Sequence, residues 1–166
     1  MVFDKLKRIW NTIFSSHRII DIKDGEVTTI LDDVTYEGRA MSDGERVALY
    51  LIAQCLCVPE EKIIIIDEPE IHLHPEWQIK FAELIVLLQK EFGMHILLTT
   101  HSPYFLKAIQ VYSKKYEISD KCKYYMSELD GEQAILVDKT SKTDDLFYKL
   151  AISFENLMNE EELYED

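Results

Sequence analysis

Residues 62–75 read Lys-Ile-Ile-Ile-Ile-Asp-Glu-Pro-Glu-Ile-His-Leu-His-Pro, and this stretch decides the fold. Its isoleucines, 63–66, form a short and continuous β-branched run, which is typical of a strand covered on both faces, as in a parallel sheet. The run ends in charge at Asp67 and Glu68, and Pro75 suits the first turn of a helix. The sequence therefore predicts a buried strand, a charged tip and then a helix.

A second buried strand follows that helix. Apolar residues continue from Pro75 at helical spacing until Gly93 ends the helix, and the next strand is predicted over 95–100. Ser102-Pro103 then opens another short helix, which runs through about Ile109. Because strand, helix, strand, helix is a parallel βαβ unit, we assign the chain to the α/β class, with a partly parallel sheet flanked by helices.

The flanking segments are predicted to be helices and hairpins. In chain order they are an amphipathic helix over 3–14, a two-stranded ribbon of 18–23 and 26–31 around Asp24-Gly25, a polar loop through Gly38, a mostly buried helix over 42–57, a hairpin of 123–129 and 132–138 around Asp130-Gly131, and a terminal helix over 143–164. We expect a single domain, 1–166, made of an N-terminal helix and hairpin (1–37), a motif core (38–110) and a C-terminal hairpin and helix (111–166).

Composition and charge exclude several classes of protein. The 166 residues include 31 acidic and 18 basic side chains, so the formal net charge at pH 7 is -13. A chain of this length that is 47% hydrophobic can bury a core and is not a disordered segment. The acidity argues against a sequence-independent DNA clamp, because contacts to phosphates need surplus Lys and Arg.

Cysteine usage and hydropathy indicate the compartment. The three cysteines, Cys55, Cys57 and Cys122, form an odd set without a C-x-x-C pair, which is typical of buried thiols in a reducing compartment. The longest apolar stretches are far shorter than the roughly 20 residues of a membrane span, and the N-terminus lacks the pattern of a secretory signal. We therefore expect a cytoplasmic protein without membrane contact.

Chemically capable side chains follow both predicted strands. Asp67 and Glu68 end the first strand and His101 ends the second, and ligands gather at the carboxyl ends of parallel strands. Adjacent carboxylates can divide labour, the first holding a divalent cation and the second orienting or deprotonating an attacking water. The histidine could contact a phosphate. The plainer interpretation is a strand-to-turn transition beside a polar loop residue.

The segment 41–45, Met-Ser-Asp-Gly-Glu, marks the start of a helix. Ser42 is placed to cap this helix, and Glu45, three residues on, completes a capping box. The same helix start presents free backbone N–H groups and the positive end of the helix dipole, which together form a ready phosphate site. The capping and phosphate interpretations are compatible.

Taken together, these segments resemble the ATPases of the ABC and AAA type. Residues 41–45 resemble the ABC signature motif, 63–69 resemble a Walker B strand, and 99–103 resemble the switch-histidine segment. The version in 67–75 is similar to the RecF-like and OLD-like branch of AAA-family ATPases, whose members serve DNA repair, mobile elements and phage defence. The resemblance covers roughly 38–110.

This resemblance implies a P-loop NTPase fold, ATP and Mg²⁺ as cofactors, and a role for each motif. Asp67 would bind Mg²⁺, Glu68 would be the general base, and His101 would sense the γ-phosphate. The signature residues would contact ATP held by a partner subunit in a homodimer or heterodimer; they are Ser42, Asp43, Gly44 and Glu45. The segment 71–74 would be the D-loop-like strip at the dimer interface.

The chain departs from the family pattern at the Walker A loop. That loop needs G-x-x-x-x-G-K-[ST], and none of the five glycines precedes a lysine: they are Gly25, Gly38, Gly44, Gly93 and Gly131. We therefore expect the C-terminal half of an ATPase, inactive alone, with the Walker A loop in another segment or chain, and DNA involved only indirectly. Without the missing strands, the edges of the sheet would have unpaired backbone groups, and the isolated chain would tend to associate with other chains.

Two other functions remain open from the sequence. One is a non-catalytic regulatory or assembly module that keeps the ATPase fold. The other is a small metal-dependent hydrolase, since carboxylates and imidazoles that could ligate a cation are clustered at Asp67, Glu68, Glu70, His72 and His74.

Overall fold

The computed structural model describes residues 2–14, 19–23, 26–31, 34–37, 44, 46–48, 50, 63–71 and 73–162. The elements in chain order are α1 (Val2–Phe14), β1 (Ile19–Lys23), β2 (Glu26–Leu31), β3 (Val34–Glu37), β4 (Ile63–Ile66), α2 (Pro75–Phe92), β5 (His95–Leu98), α3 (Pro103–Lys115), a 3₁₀ turn (Ser119–Lys121), β6 (Tyr125–Asp130), β7 (Gln133–Asp138) and α4 (Asp144–Glu162). None of the helices in these ranges combines the length and the apolar character that a membrane span requires.

The predicted βαβ unit is confirmed. β4 and β5 pair in parallel, with Ile63 opposite His95 and Ile66 opposite Leu98, and α2 connects them. Pro75 occupies the first turn of α2, where its missing N–H costs no helical hydrogen bond. Gly93 ends α2 with a φ of 65°, a left-handed conformation that glycine adopts without strain.

The β4–β5 sheet is covered on one face, so the prediction of cover on both faces is wrong for the described part of the chain. Side chains alternate along a strand, and one set packs against the core: Ile64, Ile66, Ile96 and Leu98. The opposite set is exposed to 71% at Ile63, 74% at Ile65 and 58% at Leu97. The reason is that the described helices that build the core lie against one face. We call Ile63, Ile65 and Leu97 the open sheet face.

The core lies between α1, α2, α3 and the covered face of the sheet. Its fully buried side chains include Trp10, Leu84, Leu88, Met94 and Phe105. The predicted amphipathic helix is α1, and it finds its partner in α2. An Arg8–Glu91 ion pair and a hydrogen bond from Lys5 Nζ to the Glu91 carbonyl, at 3.1 Å, join the two helices at their rim.

α3 is longer than predicted, since it ends at Lys115 and not near Ile109. The added turns carry Lys115 and lead to Tyr116. Both side chains donate hydrogen bonds to Glu83 Oε1 of α2, at 2.8 Å from Lys115 Nζ and 2.5 Å from the Tyr116 hydroxyl. The hydrogen bond with Glu83 raises the pKa of Lys115, and burial together with Glu83 raises the pKa of Tyr116. The boundary predicted between residues 110 and 111 therefore falls inside a helix.

Two other regions refine the predictions. The N-terminal ribbon has a third strand, because β3 pairs antiparallel with β2 where a polar loop was predicted. Its Val-Thr-Tyr sequence favours strand structure, and that preference outweighs the polar flanks. The C-terminal hairpin and the terminal helix are confirmed as β6, β7 and α4. The helix predicted over 42–57 is described only at 44, 46–48 and 50, which are helical, and its remainder lies outside the described residues.

Candidate functional site

The tips of β4 and β5 lie side by side, and they bring together three of the predicted site residues. The parallel ladder continues past the strands, because Thr99 N–H donates to the Ile66 carbonyl at 3.1 Å. Asp67 and Glu68 therefore leave β4 next to the point where 99–101 leaves β5. His101 reaches Glu68 across this gap, with 3.3 Å between Nε2 and Oε1.

The Thr99 hydroxyl joins the two tips. It donates a hydrogen bond to Asp67 Oδ1 and accepts one from Glu68 N–H at 3.0 Å. Glu68 has a φ of +42°, which is unfavourable for a residue with a side chain and is held only where its surroundings fix it. Thr99 lies in the segment that resembles the switch histidine, but no role was predicted for it. A hydroxyl at the end of an apolar strand, at the edge where ligands gather, is a signal that could have identified its role.

Glu68 and His101 form an exposed pair. Their side chains are 36% and 80% accessible, respectively. A water or a phosphate can therefore approach both groups from solvent. A carboxylate can accept a proton from a water in reach, and an imidazole can donate a hydrogen bond to a phosphate oxygen. The pair could therefore act on a water beside a bound phosphate.

Asp67 fits the requirements of a magnesium ligand. It is exposed at the strand tip, and Thr99 engages one of its two oxygens. Mg²⁺ is usually held by one or two carboxylates together with waters and the phosphates of a substrate, so a single oriented carboxylate suits a shared site. Asp67 and the neighbouring Glu68 supply hard oxygen donors of this kind.

The described members of the ligand set of the alternative metal hydrolase do not converge. His74 is the N-cap of α2, and its Nδ1 accepts from Glu76 N–H at 3.4 Å. The Glu70 carboxylate turns instead to the β5 side, where it accepts from the Thr100 hydroxyl and from the His101 backbone. In the ranges that the structure describes, no three His, Cys, Asp or Glu side chains are grouped to hold a metal. His72 lies outside those ranges.

Gly44 is the signature residue that the structure describes, while Ser42, Asp43 and Glu45 lie outside the described residues. It is buried, and its Cα lies against the indole of Trp77 near the start of α2. A Cβ at position 44 would lie 2.7 Å from Trp77 Cδ2 and 2.9 Å from Cε3, closer than real Cβ atoms approach. The close approach of the indole therefore requires glycine here.

Gly44→Ala is expected to destabilise the protein by about 1–3 kcal/mol, because the added methyl group overpacks the indole. The direction of the change in the free energy of unfolding is informative. At a helical position with open space, alanine in place of glycine would instead stabilise the protein by up to about 1 kcal/mol. Urea unfolding of the wild type and the variant measures the change.

The matched control places Gly44→Ala in a Trp77→Leu background, where the smaller side chain leaves room for the methyl group. The cost of the alanine should shrink or change sign there. An equal cost in both backgrounds would show that the indole does not select the glycine.

Comparison with known proteins agrees with this geometry. Residues 14–107, more than half of the chain, match the family described as "AAA domain, putative AbiEii toxin, Type IV TA system". The chain is similar in fold to a structure from work on the ATP-driven dimerization and DNA-stimulated activation of SMC ATPases, with a TM-score of 0.55 and 15% identity over 89% of this chain and 92% of that one. It is also similar to an Smc head bound to the C-winged helix domain of ScpA, with a TM-score of 0.55 and 14% identity over 82% of this chain and 41% of that one.

The relatives that are similar in sequence include three from different kinds of organism. The Septu protein PtuA of Bacillus thuringiensis is 44% identical over 31% of this chain, and a putative ABC transporter ATP-binding protein of Methanosarcina acetivorans is 37% identical over 46% of it. Protein ea59 of Escherichia phage lambda is 32% identical over 54% of the chain. The matches span 12%, 25% and 18% of these relatives' own lengths, respectively.

The family match, the relatives and the fold support one another. The matched residues 14–107 include the strand tips that carry Asp67, Glu68 and His101. The solved neighbours share the P-loop NTPase fold that the resemblance implies, and the parallel pairing of β4 and β5 agrees with it. The chain belongs to this AAA-domain family and carries an ATPase module of the AAA and ABC type.

Proposed function

We propose that this chain carries the Walker B, signature and switch-histidine part of an ATPase, and that it hydrolyses ATP when a Walker A loop is supplied by another segment or chain. The observation that carries the proposal is the Glu68–His101 pair, 3.3 Å apart at the tips of two parallel strands, beside Asp67. The tip of a parallel sheet is where nucleotides bind in this class of fold.

Each residue at the tips has a distinct role in this proposal. Asp67 would hold Mg²⁺, which when bound neutralises charge on the phosphates. Glu68 orients the attacking water and accepts its proton, and His101 donates a hydrogen bond to the γ-phosphate. Thr99 holds Asp67 and the Glu68 backbone in register.

The open sheet face supports the proposal of a missing Walker A segment. Strands of a parallel sheet are ordinarily covered on both faces, yet Ile63, Ile65 and Leu97 are more than half exposed. In the described part of the chain β4 and β5 form a two-stranded sheet, so each strand also has an outer edge that can accept a further strand. A segment that adds strands at these edges and packs a helix on the open sheet face would complete the sheet and bring its phosphate-binding loop to the strand tips.

We further propose that the chain acts in a dimer. Ser42, Asp43, Gly44 and Glu45 would contact ATP held by the partner subunit, and 71–74 would lie at the interface. Ile71 is 65% exposed next to the catalytic pair, which suits a contact with a second subunit. One fold neighbour comes from work on SMC ATPases that dimerise in an ATP-driven manner, and this supports the same arrangement here.

The biological setting that we propose is DNA repair, mobile elements or phage defence. One relative is encoded by a phage, and the matching family is described by a toxin and a toxin–antitoxin system. With a formal charge of -13, the chain is expected to meet DNA only indirectly, through other parts of the assembly.

ATP turnover with and without the Walker A region tests this function. The chain alone should be inactive. It should show Mg²⁺-dependent turnover together with a polypeptide that carries G-x-x-x-x-G-K-[ST] and is encoded beside this chain or in frame with it. Replacing the lysine of that motif by alanine is the control and should remove the activity. Absence of turnover in the complete assembly would contradict the proposal.

A further inference from the structure

Glu70 is a buried carboxylate between the two strand tips. It follows Asp67 and Glu68 in the chain and is only 6% exposed. The turn that carries it is closed by hydrogen bonds from Ile71 N–H to the Glu68 carbonyl, at 3.2 Å, and from Leu73 N–H to the Glu70 carbonyl, at 2.9 Å. Because Leu73 is part of the hydrophobic core, the turn fixes Glu70 firmly on the β4 side of the site.

One oxygen of Glu70 makes the contacts to the β5 side. Oε1 accepts a hydrogen bond from the Thr100 hydroxyl and a second one from the His101 backbone N–H, at 3.0 Å. The Thr100 hydroxyl in turn accepts from Ser102 N–H, also at 3.0 Å. The residues on both sides of His101, as well as His101 itself, are therefore tied to this carboxylate.

The other oxygen of Glu70 indicates that packing alone does not explain the residue. Oε2 is buried and has no hydrogen-bond partner in the described part of the chain. A buried acceptor without a partner lowers stability, and an apolar side chain of similar shape would avoid that loss. Hydrogen bonds to a carboxylate are roughly twice as strong as those between neutral groups. The strong hydrogen bonds from the Thr100 hydroxyl and the His101 backbone account for a carboxylate at this position.

The position of the His101 side chain depends on these hydrogen bonds, because the side chain is largely exposed to solvent. The imidazole is 80% accessible, and it meets Glu68 at 3.3 Å. Packing does little to place a side chain that is so exposed, so the main chain from which it projects sets its position. The Glu70 carboxylate fixes that main chain.

We propose that Glu70 is a positioning residue, which holds the backbone of His101 so that the imidazole lies beside Glu68; this inference rests on the proposed ATPase function. Glu70 acts through His101 and does not itself contact the phosphates. Its carboxylate also ties the turn that leads into 71–74 to the histidine segment. The hydrolysis step, more than the binding of ATP, depends on it.

Nuclear magnetic resonance of the full chain tests the hold directly. The His101 amide proton is compared in the wild type, Glu70→Gln and Glu70→Leu. Glutamine keeps a neutral acceptor, whereas leucine removes it, so the amide proton should move upfield partly in the first variant and fully in the second. Its hydrogen exchange should be about tenfold faster in Glu70→Leu, the effect of losing a hydrogen bond to a charged group. An unchanged His101 amide in Glu70→Leu would overturn the proposal.

Thr100→Val is the second variant, and it keeps the test decisive if Glu70→Leu fails to fold. It removes the hydroxyl donor to Glu70 and leaves the hydrogen bond from His101 N–H in place. The His101 amide should therefore shift less in Thr100→Val than in Glu70→Gln. The reverse order would overturn the proposal.

Kinetics of the assembly with the Walker A polypeptide test the consequence. Glu70→Leu should lower kcat at least about tenfold while KM for ATP changes less than about twofold, with Glu70→Gln between it and the wild type. If Glu70 had a purely structural role, its substitution would lower the melting temperature and the active fraction, but kcat would not fall in the order wild type, Glu70→Gln, Glu70→Leu. That result would overturn the proposal. If the wild-type assembly hydrolyses no ATP, the proposed function fails, and the amide measurement still decides whether Glu70 holds His101.

Discussion

Glu68→Gln is expected to lower ATP turnover by the complete assembly about 100-fold to 10,000-fold, the range that a general base contributes. The amide cannot accept the proton of the attacking water, although it has nearly the same shape and can still meet His101. ATP binding should be retained, because Asp67 and the Walker A loop hold the nucleotide. Initial rates at saturating ATP, together with a direct measurement of ATP binding, separate the two effects.

Glu132→Gln is the matched control, since it makes the same chemical change at an exposed glutamate in the turn between β6 and β7. It should leave turnover unchanged. The Glu68 variant should also keep its stability, because a contact with a partner as exposed as His101 contributes little. Turnover that is insensitive to Glu68→Gln would point to a regulatory or assembly module that keeps the ATPase fold.

The catalytic candidates were predictable from the sequence because each follows an apolar strand. Asp67 and Glu68 directly follow a run of apolar residues, and His101 follows another after Thr99 and Thr100. The parallel pairing places such residues at one edge of the sheet. No role was predicted for Thr99, and Glu70 was considered only as a possible metal ligand, because the roles of both depend on which side chains face each other across the two tips. That arrangement follows from the register between β4 and β5, which local periodicity does not define.

The fold was predictable where local signals agree with tertiary packing. α2 is the clearest case, since a proline at its start, a regular apolar face and a terminal glycine all indicate the same helix. β3 was missed because its four residues, Val34–Glu37, are too short to show a period next to polar neighbours. The two exposed positions in β4 were predicted to be buried. A run of isoleucines indicates that a strand can be buried on both faces, but it does not show whether other elements of this chain pack against both.

The open sheet face leads to the second large effect. Ile65→Glu is expected to weaken binding of the Walker A polypeptide at least about 100-fold, because a carboxylate buried without a partner costs several kcal/mol and about 1.4 kcal/mol corresponds to a factor of ten. Ile65 is 74% exposed in this chain, so the same change should leave the stability of the chain alone nearly unaltered. Titration calorimetry measures the binding, and urea unfolding measures the stability.

Leu136→Glu is the control that isolates the location of the charge. Leu136, on β7, is 75% exposed, so the two variants place the same new charge at equally accessible apolar positions. If the Walker A polypeptide covers the open sheet face, only Ile65→Glu should weaken its binding and the ATP turnover that depends on it. The wild-type chain alone should also bind an apolar dye more strongly than Ile65→Glu, because the substitution places a charge within the exposed apolar patch of the open sheet face. Equal binding by both variants would place the Walker A segment elsewhere on the molecule.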